Sequence, residues 1–166
     1  MARITAIKDV INRDSILIEK RIFNNIDALF AVIADTAVTA HQPLAVKSRH
    51  PIPSEQLQRS LMKRATKYPF GTGGGLLLPL AEINEVHEFF AVFVKLTAGQ
   101  WIKGAPDGEL VDLVFALFGP RDSRRSDLRL LATMALALSN RDLRGELREA
   151  RTIEQIYQAL ISPIPA

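Results

Sequence analysis

Runs of apolar residues in the middle of the chain predict a small β-sheet. Leu76–Leu78, Phe89–Leu96 and Val111–Phe118 are apolar at nearly every position, which is typical of strands buried on both faces. A shorter run, Ser15–Glu19, alternates weakly and predicts one more strand. Because the strands are apolar on both faces, helices must cover both sides of the sheet.

Apolar residues spaced three and four apart predict the helices that precede this sheet. The first helix is capped by Asn24 or Asn25, and its buried stripe consists of Ile26, Leu29, Phe30, Ile33 and Ala37. A proline-rich loop follows this helix. The second helix carries many basic residues; we expect Ser54 to cap it and Pro69 to end it.

Three more helices are predicted to close the chain. The first is capped by Asp122 or Ser123, and its stripe consists of Leu128, Leu131, Ala132, Ala135 and Leu138. Asn140 caps the second helix, and Thr152-Ile153-Glu154-Gln155 forms a capping box for the third. The buried face of the third helix consists of Ile153, Ile156, Tyr157 and Leu160.

Strands interspersed with helices, followed by helices alone, predict an α/β fold. We expect a single layered domain with a small mixed β-sheet and helices on both faces. The chain has 166 residues, which suits one domain, and it contains no internal repeat or long linker. The predicted domain spans residues 1–166, with its core at 15–161.

The composition excludes several classes of protein. The absence of cysteine rules out disulfides, cysteine nucleophiles and cysteine-ligated zinc. No apolar stretch approaches membrane-spanning length and no secretory leader is evident, so we expect a cytoplasmic protein without membrane insertion. A net charge of +3 favours a mixed-charge surface over nucleic-acid binding, and leaves a basic binding module as the third-ranked function.

The glycine-rich stretch F-G-T-G-G-G-L-L-L-P-L, at 70–80, is the most distinctive part of the chain. Its glycines allow positive φ and close backbone approach, and Pro79 should stop the following strand or confine it to an edge. A Walker loop would need Lys and Ser or Thr at Leu76 and Leu77, and a dinucleotide motif would need a following helix. We therefore predict a tight turn into a strand, no cofactor, and a polar loop at Glu82–Glu88.

Three histidines, His41, His50 and His87, are the other candidates for chemistry. None has the i, i+4 spacing of a helical metal site, so we predict no metal ligand among them. Each is expected in a surface loop, where only a pKa near neutrality recommends it for catalysis. No serine lies in the Gly-x-Ser-x-Gly setting of a nucleophile elbow.

The order of these elements resembles enzyme IIA of the sugar phosphotransferase system, in its fructose/mannitol and nitrogen-regulatory branch. The resemblance is carried by L-M-K-R at 61–64, G-T-G-G-G-L-L-L-P-L at 71–80, D-G-E-L-V-D-L-V-F at 107–115 and the helical tail at 127–160. It extends over residues 15–161, nearly the whole chain. It implies the fold of that family and a phosphate-accepting site beside the glycine-rich turn.

Two residues that the resemblance implies for this chemistry are replaced. The family accepts phosphate on a histidine directly after the proline, where this chain has Leu80, and an assisting histidine corresponds to Asp127. The expected arginine, sixteen residues before the acceptor, is retained as Arg64. If the site persists, Arg64 should lie near Leu80 and pair with Asp127. The rest of the phosphate-site remnant consists of Gly73, Gly75 and Pro79.

These replacements predict a family member that does not relay phosphate, because leucine has no lone pair for in-line attack on phosphorus. We expect a regulatory domain that binds a protein partner while permanently unphosphorylated. The resemblance implies a phosphocarrier protein, a potassium transporter or a sensor kinase as partner. The alternative is a residual phosphocarrier that uses Asp127 or a loop histidine such as His87. The sequence leaves the oligomeric state and any enzymatic role open.

Overall fold

The computed structural model describes residues 7–23, 25–41, 51–67, 71–102, 110–120 and 125–162, with the backbone alone at 71, 72 and 125–131. The strands in these ranges are β1 (Ile16–Glu19), β2 (Gly71–Gly73), β3 (Leu76–Leu77), β4 (Leu80–Ile83), β5 (Phe90–Gln100) and β6 (Val111–Pro120). The α-helices are α1 (Ile26–Ala40), α2 (Ser54–Ala65), α3 (Arg125–Leu138), α4 (Arg141–Glu149) and α5 (Ile153–Ile161).

One mixed sheet contains all of these strands, as predicted. At its centre β5 and β6 pair antiparallel, with Phe90 opposite Phe118 and Val94 opposite Val114. On one side β1 runs parallel to β5, and on the other side β3 and β4 run parallel to β6. Because β2 then pairs antiparallel with β3, the strand order is β1-β5-β6-β3-β2, with β4 also beside β6.

Helices cover both faces of the sheet, which confirms the predicted layers. On one face, α1 and α2 bury Phe30, Ile33 and Leu57 against sheet residues that include Val92 and Val114. On the other face, the end of α3 with α4 and α5 buries residues against the sheet, and these include Leu138, Leu147, Ile156, Phe93 and Phe115. The continuous apolar character of β5 and β6 follows from this burial on both sides.

Three helices begin at the predicted caps. The side chain of Asn25 accepts a hydrogen bond from the Ala28 amide at 2.9 Å, and Asn140 caps α4 in the same way. Thr152 forms the predicted capping box at the start of α5. Ser54 as the cap of α2 is wrong by one residue. Pro53 occupies the cap position with φ −64° and ψ 146°, because its ring fixes a φ that leads directly into a helix.

Two other predictions, the start of the loop after β4 and the buried stripe of α3, need correction. The loop predicted at Glu82–Glu88 begins too early, because Glu82 lies within β4, whose side chains alternate in exposure. In α3, Ala132 and Ala135 are exposed while Met134 and Leu138 are buried. In the part of the stripe that the structure describes, Met134 and Leu138 therefore form the buried side of α3, whereas Leu136 is 76% exposed.

Two smaller differences involve β3 and α5. Leu78 lies outside β3, which ends at Leu77. In α5, Ile153 is 41% exposed, and the buried residues are Ile156, Ala159 and Leu160. The predicted roles of Asn24, His50, Pro69, Asp122 and Ser123 lie outside the described residues.

Candidate functional site

The glycine-rich turn between β2 and β3 has the backbone conformation that its sequence predicts. Gly73, Gly74 and Gly75 have φ values of 83°, 66° and 82°, in the region that L-residues with a side chain avoid. The space is also closed to a side chain. A Cβ at Gly74 would lie 2.2 Å from the guanidinium of Arg144, and a Cβ at Gly75 would lie 2.7 Å from a carboxylate oxygen of Asp112.

A cluster of charged residues holds this turn against α4. We call Asp112, Arg144 and Arg148 the α4 clamp. Arg148 donates to both carboxylate oxygens of Asp112, at 2.7 and 3.0 Å, and to the Gly74 carbonyl at 2.5 Å. The Arg144 guanidinium lies over Gly74 and donates to the Ser139 carbonyl at 3.1 Å. The space that the glycines leave open beside the turn is therefore occupied by arginine side chains of α4.

Lys95 extends this network on the neighbouring strand. Its ammonium group donates to the Arg148 carbonyl at 2.5 Å and to the Ala150 carbonyl. A cation at these carbonyls complements the negative end of the α4 dipole. Partial burial lowers the pKa of Lys95, and the charge of Asp112 acts in the opposite direction. Sequence analysis missed these residues, although a lone aspartate within the apolar run of β6 was a usable sign of a charged partner.

Leu80, at the expected acceptor position, is held on the sheet by β6. It is the first residue of β4 and lies opposite Leu117. The preceding Pro79 is buried, and its carbonyl accepts a hydrogen bond from the Leu117 amide at 2.9 Å. The Leu80 side chain is partly exposed and packs against the core on the α4 and α5 side. The site therefore presents an apolar side chain on a fixed backbone.

Arg64 reaches β4 from the last turn of α2. Its guanidinium donates to Glu82 at 2.7 Å, and both side chains are about one third exposed, at 32% and 38%. Glu82 stands two residues after Leu80, on the same face of β4. The predicted pairing of Arg64 with Asp127 stays a prediction, because the side chain of Asp127 is outside the described part of the chain. Sequence analysis missed Glu82 because it was assigned to a loop.

A groove of about 330 Å³ runs between α2 and the end of β4. Its α2 wall includes the cations Lys63, Arg64 and Lys67, and its opposite wall includes the carboxylates Glu82 and Glu85. The Arg64–Glu82 ion pair therefore joins the two walls. A groove with cations on one wall and carboxylates on the other suits a charged ligand or a protein side chain better than an apolar molecule.

Of the two histidines that the structure describes, His41 and His87, one lies in a different environment from the one expected. His41 follows α1, where its Nε2 lies 2.9 Å from the Ala91 carbonyl oxygen and its ring packs at 5.2 Å from Phe90. Burial lowers its pKa. The surface position predicted for His41 is thus wrong, because the end of α1 packs over β5. His87 is exposed after β4, as predicted.

No group of three or more His, Cys, Asp or Glu side chains in the described ranges is placed to hold a metal ion. None of the described helices is both long and apolar enough to cross a membrane.

Comparison with known proteins agrees with this fold. The family model of the phosphoenolpyruvate-dependent sugar phosphotransferase system, EIIA 2, matches residues 9–162. The chain therefore belongs to this family. Among curated relatives, a nitrogen regulatory protein of Bradyrhizobium diazoefficiens is 29% identical over 103 residues, which are 62% of this chain and 67% of the relative. A nitrogen regulatory protein of Escherichia coli K12 is 28% identical over 110 residues, 66% of this chain and 67% of the relative.

Solved structures show the same fold. The nitrogen regulatory protein IIA-Ntr of Neisseria meningitidis superposes with a TM-score of 0.76 at 19% identity, covering 92% of this chain and 97% of that one. The IIA mannitol structure of Escherichia coli gives a TM-score of 0.68 at 12% identity, covering 90% and 98%. A complex of enzyme IIA mannitol with phosphorylated enzyme IIB mannitol, also from Escherichia coli, gives 0.67 at 12% identity, covering 90% and 96%.

Proposed function

We propose that this chain is a nitrogen-regulatory-type IIA domain that does not carry phosphate at the usual position and acts by binding a protein partner around Leu80. One observation carries the proposal. The residue after Pro79, where the family resemblance places the acceptor histidine, is a leucine on the first position of β4.

The chemistry of this position supports the proposal. Phosphoryl transfer to a side chain requires a lone pair that attacks phosphorus in line with the leaving oxygen. The isobutyl group of Leu80 has none, and its neighbour across the sheet is Leu117. Glu82 is the nearest carboxylate along β4, and its ion pair with Arg64 engages the cation that would otherwise stabilise a phosphoryl group. Arg64, Gly73, Gly75 and Pro79 are then the remnant of a phosphate site.

The surface at Leu80 supports binding as the remaining activity. Its side chain is apolar and partly exposed, so leucine in place of histidine makes this part of the surface more apolar. The solved complex between IIA mannitol and IIB mannitol shows that a protein of this fold binds a protein partner. A phosphocarrier protein, a potassium transporter and a sensor kinase are the partner classes to test first.

Phosphate transfer is the first test of the proposal. The purified chain is incubated with radiolabelled phosphoenolpyruvate and the upstream phosphotransferase proteins, and incorporated label is counted. We expect none on the wild-type chain, whereas stoichiometric labelling would refute the proposal and favour a residual phosphocarrier. In that event Asp127→Asn and His87→Gln identify the acceptor. The exposure of His87 is the observation that keeps this second function under test.

Partner binding is the second test. Leu80→Asp places a charge in the proposed contact, and we expect it to weaken binding of the phosphocarrier protein about tenfold or more, since a buried leucine contributes about 2 kcal/mol. Ile22→Asp is the matched control, because Ile22 is 73% exposed and follows β1, which β5 and β6 separate from β4. Both variants must keep the thermal melting of the wild type. Equal binding by all three proteins would place the contact elsewhere.

A further inference from the structure

A line of positive charge runs along the exposed side of α2. Arg59, Lys63 and Lys67 follow each other at intervals of four residues, and all three are exposed. Lys67 lies in the turn that continues the helix, where its amide donates to the Arg64 carbonyl. Four residues of helix rise about 6 Å, so Arg59 and Lys63 are stacked one turn apart. We call these three residues the α2 ridge.

The three cations of the α2 ridge are not paired with carboxylates among the described residues. Arg64 differs from them, since it is half-buried and bound to Glu82. This row of cations costs repulsion along the helix, which Glu55, four residues before Arg59, offsets only at Arg59. A bound partner with opposite charge would remove that cost.

The surroundings of the α2 ridge define which partner fits. On one side lies the groove toward β4, which adds the neutral side chains of Gln56 and Ser60 and the carboxylates Glu82 and Glu85. On the other side a second groove, between α1 and α2, is lined by carboxylates as well, Asp27 and Glu55. The ridge is thus a narrow positive strip with Asp27 on one side and Glu82 and Glu85 on the other, and Glu55 lies one helical turn before Arg59 at the start of the same line.

We propose that the α2 ridge docks an acidic segment of a protein partner, in the form of a helix with carboxylates four residues apart. Such a helix repeats its charges at the same rise of about 6 Å and can place one carboxylate opposite each cation. This inference rests on the proposed function, because it specifies the chemistry of the partner proposed there. The Arg64–Glu82 ion pair joins α2 to β4, so a partner on the ridge lies near this strand, while the side chain of Leu80 faces the other side of the sheet, toward α4 and α5.

A nucleic acid fits this surface less well than an acidic protein segment. Its phosphates form a continuous negative strip that would meet the carboxylates of Glu55, Glu82 and Glu85 as well as the cations. A protein helix can carry neutral or positive side chains at those borders. The net charge of only +3 points the same way, because non-specific nucleic-acid binding depends on many phosphate contacts.

The test uses synthetic peptides and the full chain. The probe is a fluorescent alanine-rich helical peptide with glutamate at three positions four residues apart, and the control peptide has glutamine at those positions. Binding is measured by fluorescence anisotropy at low ionic strength, together with a single-stranded oligonucleotide. Lys63→Glu/Lys67→Glu reverses two charges of the ridge. Lys8→Glu/Lys20→Glu reverses two exposed lysines elsewhere and changes the net charge equally.

We expect the glutamate peptide to bind the wild type and the Lys8→Glu/Lys20→Glu variant alike. Its affinity for Lys63→Glu/Lys67→Glu should fall about tenfold, from two lost ion pairs and the added repulsion. Equal losses in both double variants, no binding by the glutamate peptide, or tighter binding of the oligonucleotide would overturn the inference. Leu80→Asp separates the two proposals. If Leu80→Asp no longer binds the phosphocarrier protein while Lys63→Glu/Lys67→Glu still binds it, the proposed function stands and the inference about the ridge is wrong.

Discussion

Replacing Arg148 with alanine should loosen the glycine-rich turn while the rest of the fold stays intact. Arg148 makes a bidentate ion pair with Asp112 and also donates a hydrogen bond to the Gly74 carbonyl. With side chains 39% and 26% exposed, the ion pair is partly screened by solvent, and we assign it about 1 kcal/mol. The hydrogen bond to the carbonyl adds about 1 kcal/mol. Arg148→Ala should therefore lower the free energy of unfolding by about 2 kcal/mol.

A double-mutant cycle separates these two contributions. Asp112→Ala removes the ion pair but leaves Arg148 able to reach Gly74, so the Arg148–Asp112 coupling energy should be about 1 kcal/mol. Urea denaturation of the wild type, both single variants and the double variant gives this value. Hydrogen exchange should then show faster opening of 71–77 in Arg148→Ala. If the losses of unfolding free energy in the two single variants are additive, or if hydrogen exchange at 71–77 is unchanged, the α4 clamp does not hold the turn.

Three further predictions concern the turn, an ion pair and a buried histidine. Gly74→Ala should destabilise the fold by about 1 kcal/mol or more, because φ is 66° and the added Cβ meets Arg144. Gly145→Ala, with nothing near its Cβ, should instead stabilise α4 by about 0.5–1 kcal/mol. Urea denaturation measures both changes. Hydrogen bonds from Arg13 lower the pKa of Glu154 to about 2, so Arg13→Gln should raise that pKa in an NMR titration, and an unchanged pKa would contradict the ion pair. A lowered carboxylate pKa stabilises the fold at pH values above the ordinary carboxylate pKa, and this stabilisation is lost as the pH falls. Arg13→Gln should therefore lose less stability than the wild type between about pH 5 and pH 2. Burial lowers the pKa of His41, so the unfolded chain takes up its proton first and the fold should lose stability as the pH falls below about 6.5; an NMR titration in which His41 protonates at its ordinary pKa would contradict this environment.

Local patterns were sufficient to predict most of the fold. Continuous apolar runs gave β5 and β6 because both faces of these strands are buried, and that burial requires helices on both sides. The starts of three helices were predicted from their capping residues. Capping is local, because a side-chain oxygen accepts a hydrogen bond from an amide in the first turn of the same helix. Which residues of α3 and of the first turn of α5 are buried depends on tertiary packing, and periodicity alone did not predict it.

The contacts at the site were harder to predict, since they join residues far apart in the chain. The positive φ of the glycine-rich turn followed from its composition. The partners of that turn did not, because Asp112 and Arg148 meet it only after β6 and α4 have packed. Glu82 was missed for a different reason. β4 has four residues, and a strand of that length, directly after a proline, gives a weak alternation pattern.

The central claim is that leucine in place of histidine at position 80 prevents phosphate transfer, and one measurement tests it directly. Wild type and Leu80→His are incubated with phosphoenolpyruvate and the upstream phosphotransferase proteins, and the intact mass of each chain is then determined. If Arg64 and the glycine-rich turn still form the cradle, the imidazole introduced in Leu80→His should gain one acid-labile phosphoryl group, while the wild type should gain none. A phosphorylated wild-type chain would contradict the account.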